Sequence, residues 1–178
     1  MSSENALASF TLLPHPRCDR GTVSDFSVTA RRASPNRLEI HFTLHADLAA
    51  LALPQPRPPV RADGLWKHTC FEVFVCRAGG SEYREYNFAP SGDWAAYQFS
   101  SYRSGMTAAP EAPVQAQWSF AAHSLDLIVV VECPNDALRL GCSAVIESKA
   151  GVLSYWALKH ASEKPDFHAA DGFIAELG

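Results

Sequence analysis

Hydrophobic and polar positions alternate with a period of two along much of the chain, the pattern of half-buried β-strands. Leu38, Ile40, Phe42 and Leu44 alternate with Glu39, His41, Thr43 and His45, which gives a strand with one dry and one wet face. Leu127, Val129 and Val131 have Ile128 and Val130 between them, so this run predicts a strand covered on both faces. Further strands are predicted over 9–13, 24–32, 66–77, 82–89, 94–102, 114–121, 140–147 and 152–158. No segment carries a long amphipathic helical stripe; residues 48–53 allow a short helical turn, which Pro54 ends. Many short strands with Gly and Pro turns predict an all-β fold, a sandwich or barrel of antiparallel sheets. The stretch 54–64, PQPRPPVRADG, must be an extended loop, and 107–113 is the second hard break. Strand-like segments flank both closely and there is no internal repeat, so 1–178 is expected to form one domain.

The centre of the chain can be put in register. With Gly79-Gly80 as a two-residue hairpin turn, Glu72 falls opposite Asn87, Phe74 opposite Glu85 and Cys76 opposite Tyr83. Those side chains share a front face, while Phe71, Val73, Val75, Tyr86 and Phe88 point back into the core. With Ser91-Gly92 as the next turn, Ala96 lies beside Asn87, Gln98 beside Glu85 and Trp94 beside Ala89, and Tyr97 and Phe99 join the core face. One extra residue there would flip every assignment on that third strand. The resulting front face mixes Glu72, Asn87, Glu85, Gln98, Trp94 and the small Ala96. That mixture suits a shallow pocket, the alternative being an ordinary solvated face.

Composition narrows the function classes. A chain of 178 residues can bury one sizeable core without staples. A net charge of -4 and a pI near 5.9 argue against a nucleic-acid surface. The longest run of large apolar residues, 127–131, is too short to span a membrane, so no membrane partner is expected. No charged start leads into an apolar segment, so no secretory signal is read and a cytoplasmic location is expected. Cys18, Cys70, Cys76, Cys133 and Cys142 are odd in number and form no C-x-x-C pair, so free buried thiols are expected. No nucleophile elbow, P-loop or dinucleotide fingerprint occurs. His68 and Glu72 stand four apart on a strand, roughly 13 Å, too far to chelate one ion, and the same holds for His41 and His45. A mixed metal site of His160, Asp166 and His168, a nucleophilic Cys70, and haem ligation through Met106 are weaker readings. No metal or cofactor is expected.

The segments DGLWKHTCFEVFV, YREYNFAPSGDWAAY, LSYWALKH and KPDFHAADGF resemble, in their order and spacing, the DOMON-like superfamily. Within it the likeness is to the family 9 carbohydrate-binding modules and their single-domain bacterial relatives, over residues 21–178. The resemblance implies an antiparallel β-sandwich of jelly-roll type in which two aromatic rings clamp a sugar and polar groups on the sheet bind its hydroxyls. Trp66 falls on the first clamp, Phe167 on the second in place of a tryptophan, and Glu72 on the acidic position. Asn87 stands where the family has an arginine, Lys164 lies near its asparagine, and Trp156 matches a core tryptophan. Trp94, from its front-face register, and His168, from the C-terminal loop, complete the candidate ligand-binding set. The chemistry is coherent: a pyranose packs its C–H face on an aromatic ring, and a carboxylate accepts hydrogen bonds from neighbouring hydroxyls. The expected function is a non-catalytic small-molecule-binding domain with a carbohydrate-like ligand. The alternatives are a metal-dependent or hydrolytic enzyme using Glu72, His68 and His168, or a haem-binding DOMON protein. Without a secretory signal, a soluble sugar, a nucleoside-like molecule or a protein partner is expected before a polysaccharide.

Overall fold

The computed structural model describes residues 7–178. Its strands are β1 (Ala8–Thr11), β2 (Leu13–Pro14), β3 (Asp25–Ser34), β4 (Arg37–His45), β5 (Cys70–Arg77), β6 (Tyr83–Phe88) and β7 (Trp94–Phe99). They continue with β8 (Thr107–Ala108), β9 (Gln115–Phe120), β10 (Ser124–Glu132), β11 (Leu138–Glu147), β12 (Leu153–Ala157) and β13 (Ala175–Leu177). The chain is a β-sandwich of two antiparallel sheets, one in the order β1-β3-β4-β10-β9 and the other β2-β12-β11-β5-β6-β7-β8, with β13 also paired to β11. Short 3-10 turns at Leu48–Ala50, Leu65–Lys67 and Ala170–Gly172 supply the helical content. Among the described residues no helix is long and apolar enough to cross a membrane.

Alternation does what it predicts in the first sheet. Leu38, Ile40, Phe42 and Leu44 are fully buried while their neighbours stay half exposed. β10 is a correction: Leu125, Leu127, Val129 and Val131 are buried, but Ile128 and Val130 are only half-buried on the outer face, so this strand is not covered on both sides. The two sheets meet through aromatic rings: Phe71 of β5 lies 5.1 Å from Phe26 and 5.3 Å from Phe42. Trp156 is fully buried in the same core, its indole N–H donating to Ser154 Oγ at 2.9 Å.

The second sheet is buried on both faces, and its register decides what each face carries. β5 and β6 pair as expected, Glu72 with Asn87, Phe74 with Glu85 and Cys76 with Tyr83. The turn itself sits one residue earlier: the Gly80 N–H donates to the Arg77 carbonyl at 2.9 Å, and Gly79 rather than both glycines takes a positive φ, 75°. The β6–β7 connection overturns the expected pairing. The Gly92 N–H donates to the Ala89 carbonyl and the Ala89 N–H to the Asp93 carbonyl, both at 2.9 Å, with Gly92 at φ 98°. Pro90, Ser91 and Gly92 thus form a three-residue loop, with glycine in the left-handed position that such loops require. The pairing moves by one: Asn87 faces Ala95, Glu85 faces Tyr97 and Phe88 faces Trp94. Ala95, Tyr97 and Phe99 therefore stand on the front with Glu72 and Glu85, and Trp94, Ala96 and Gln98 go to the back. The proline loop is tied to this turn, with Arg57 ion-paired to Asp93 and the Arg57 N–H bonded to the Ser91 carbonyl at 2.8 Å.

A second apolar cluster, Phe74, Cys76, Tyr83, Ala95, Tyr97, Phe99 and Phe173, covers part of the front face. Phe173 stacks on Phe74 with centroids 5.5 Å apart. Arg139 donates to the carbonyls of Phe173 at 3.2 Å and Ala170 at 2.7 Å, which fastens the C-terminal segment across the sheet. Gly141 of β11 makes room for this: a Cβ there would lie 2.5 Å from Phe173 Cδ1. The Gly141→Ala variant is expected to unfold with a stability loss of about 1–3 kcal/mol, from overpacking, and to show faster amide exchange over 165–173. Unchanged thermal unfolding would contradict that packing.

Candidate functional site

A cleft of about 360 Å3 opens on the front of the second sheet. Glu72 of β5, Glu85 of β6, Tyr97 and Phe99 of β7, Val145 of β11 and Tyr155 of β12 contribute from the strands. Trp66, Arg103, Met106, Pro165, Phe167 and His168 contribute from the loops. Trp66 is not on a strand: Gly64, at φ 76°, bends the chain into the 3-10 turn Leu65–Lys67 and lifts the indole over the sheet. There it is 40% exposed and meets Tyr97 edge-on at 6.2 Å. Phe167 leans on Tyr155 at 6.1 Å. β7 and β12 are four strand spacings apart, roughly 19 Å, with the strands bearing Glu72 and Glu85 between them.

Both carboxyls are buried, Glu72 to 3% exposure and Glu85 to 5%. Burial pushes the Glu72 pKa well above the carboxylate range, and the nearby Glu85 charge adds to it; Ser143 and Arg103 pull the other way. Burial likewise raises Glu85 to about 7, against the opposing hydrogen bond from Asn87 and the charge of Arg103. The Asn87 amide donates to Glu85 Oε1 at 2.9 Å. Its own Oδ1 is buried without a partner, and the Ser143 hydroxyl lies directly across the ladder from Glu72, the carboxyl whose pKa it lowers.

His168 is held in place by its neighbours. Its Nδ1 and the Tyr83 hydroxyl share a hydrogen bond at 2.8 Å, and the Tyr83 oxygen also accepts from the Arg103 backbone N–H at 3.2 Å. Its Nε2 lies 3.6 Å from Glu85 Oε2. Burial, and then the charge of Arg103, push the His168 pKa down to about 4, so the ring is neutral near pH 7. The Arg103 guanidinium is engaged by Asp166 Oδ1 at 2.8 Å, and Tyr102 donates to the other Asp166 oxygen at 2.6 Å. Burial works against the Asp166 charge, but these hydrogen bonds outweigh it and hold its pKa below the usual range.

Trp66, Glu72, Phe167 and His168 are thus brought to one cleft. Asn87 is fully buried beside Glu72 and reaches the cleft through Glu85. Lys164 is exposed and does not line the cleft, although its neighbour Pro165 does. Trp94 is on the opposite face as a result of the shifted register, half-buried against the sandwich core with the Arg61 guanidinium 4.7 Å from its ring centroid. His68 lies outside the cleft and pairs with Glu147 at 2.7 Å, so the set Glu72, His68 and His168 is not assembled. His160 turns away from His168, packing on His15 at 4.8 Å and bonding the Leu13 carbonyl at 2.8 Å. Among the described residues no group of three or more His, Cys, Asp or Glu is placed to hold a metal ion. The cysteines are free, and burial pushes Cys142 up to about 12 and Cys70 well above its ordinary value, which makes both thiols inert. Sequence reasoning missed Tyr97 and Phe99, whose signal was a three-residue loop in place of a two-residue turn. It also missed Arg103 and Tyr155, which carried no distinguishing pattern.

Folding raises the pKa of Glu85, so the folded state holds that proton more tightly than the unfolded chain. This group's contribution is full below its unfolded value of 4.5 and is lost as pH rises through about 7, a span worth about 3 kcal/mol at most. His168 runs oppositely, losing stability as pH falls below 6.5 toward 4. Comparing Glu85→Gln with the parent separates the two. The variant is expected to be more stable at pH 8, by up to about 3 kcal/mol, and the gain to shrink toward zero near pH 4.5 in denaturant titrations. An equal gain at both pH values would contradict the buried carboxyl as its source.

No protein-family model and no curated protein matches the chain. A solved structure does resemble it in fold: a "putative carbohydrate-binding protein" from Bacteroides uniformis ATCC 8492, with a TM-score of 0.68 and 13% sequence identity. The match covers 96% of this chain and 84% of that one. At that identity the two share a fold, a β-sandwich spanning essentially the whole of this sequence.

Proposed function

We propose that the chain is a non-catalytic binding domain whose cleft takes a carbohydrate-like small molecule, in keeping with the DOMON-like resemblance of its sequence. The observation that carries this reading is the pairing of exposed aromatic surface at the cleft walls with the carboxyl groups of Glu72 and Glu85 at its floor. Trp66 and Phe167 offer ring faces for the apolar side of a pyranose. Glu72 and Glu85 offer hydrogen-bond partners for hydroxyls, with Asn87 orienting Glu85 and His168 closing the rim. Lys164, exposed beside the cleft, and Trp94, on the other face, have no part in it. The fold shared with the "putative carbohydrate-binding protein" of Bacteroides uniformis supports the same ligand class.

A second reading rests on the Glu72–Glu85 pair, since carboxyls of raised pKa are what general acid catalysis of glycoside hydrolysis uses. It predicts that a bound glycoside is cleaved, whereas the binding reading predicts that it is recovered intact.

The test is a thermal-shift and calorimetric screen of mono- and disaccharides. A binder at a hundred times its Kd should stabilise the chain by about 2.7 kcal/mol. Trp66→Ala, at a 40% exposed position that leaves the core alone, is expected to lose that response, and Lys164→Ala to keep it. Full binding by Trp66→Ala, or no sugar response in the parent, would overturn the proposal.

A further inference from the structure

We propose that the ligand of this cleft carries a protonated amine, seated between the carboxyl groups of Glu72 and Glu85. The inference rests on the small-molecule reading above and narrows its chemistry.

Three carboxylic side chains are buried among the described residues: Asp93, Glu72 and Glu85. Asp93 has the guanidinium of Arg57 as its counter-charge. Glu72 and Glu85 lie on adjacent strands of one sheet face and have no arginine or lysine within ion-pair distance. Arg103, which also lines the cleft, is bound to Asp166. His168 faces Glu85 as a neutral ring, its Nδ1 taken by Tyr83. A buried acid that folding leaves without a cation is costly unless it stays protonated or a ligand supplies the charge.

The floor offers acceptors to a donor-rich ligand. Glu72 and Glu85 both line the cleft, and beside Glu72 the Asn87 side-chain carbonyl is buried without a partner. An ammonium brings three N–H donors and a full positive charge to such a floor. The surrounding rings of Trp66, Tyr97 and Tyr155 suit it too, because an aromatic face attracts a cation. A neutral polyol would supply hydrogen bonds but no charge to hold the two carboxyls ionised.

Calorimetry at pH 7 with four probes separates this inference from the sugar reading: D-glucosamine, D-glucose, cyclohexylamine and cyclohexanol. The expected result is that each amine binds about tenfold or more tightly than its hydroxyl counterpart. In Glu85→Gln, whose fold is checked by thermal unfolding, that preference is expected to fall to within about threefold. Glucose binding as tightly as glucosamine would overturn the amine inference and leave the sugar reading intact. Cyclohexylamine matching glucosamine, with no response to glucose, would support the amine and overturn the sugar. No binding of either amine would overturn the inference outright.

Discussion

The pairing of β7 on β6 fixes what the second sheet can do. Pro90, Ser91 and Gly92 make a three-residue loop, and that one residue decides which side of β7 faces the sandwich core. With this register Tyr97 and Phe99 stand beside two glutamates and Ala95 leaves space, so the front becomes an aromatic and acidic surface. The other register would send those rings into the core and bring Trp94 and Gln98 forward. The Arg57–Asp93 ion pair and the Gly92 conformation hold the loop, so the proline segment stabilises the cleft from a distance.

A sheet buried on both faces needs two covers. The first sheet supplies one, through Phe26 and Phe42 against Phe71. The other is assembled from loops: the turn bearing Trp66, the segment around Arg103, and the C-terminal strap anchored by Phe173 over Gly141. Loops cover a sheet incompletely, and the cleft is the gap they leave. Its floor keeps carboxyls that a continuous core would exclude, because partly buried acids persist where a ligand or proton can satisfy them. Asp166 illustrates the wall's role, drawing Arg103, Tyr102 and the His168 backbone into one cluster.

Much of this was legible in the sequence, for identifiable reasons. Period-two alternation located nearly every strand, and the glycine pair at 79–80 centred the β5–β6 pairing correctly although the turn itself starts earlier. Glu72 and Asn87 were thereby placed side by side. Trp66 and Phe167 were reached only through resemblance, since one lies on a turn set by a left-handed Gly64 and the other on an irregular strap. The β7 face was misread because Ser-Gly is compatible with two loop lengths. β10 was misread because an unbroken apolar run does not reveal whether its outer side is covered. Arg103 and Tyr155 enter the cleft through tertiary placement alone, which no local pattern encodes.

The central claim is that the front of the second sheet, and not the rest of the surface, receives a small molecule. Amide and indole N–H resonances followed while a saccharide is titrated test it most directly, because the chain carries four tryptophans in distinct places. The account predicts that the Trp66 indole and the amides around His168 shift in proportion to occupancy, while the indoles of Trp94 and Trp156 stay still. Shifts centred on Trp94 or on the outer face of the first sheet would contradict it.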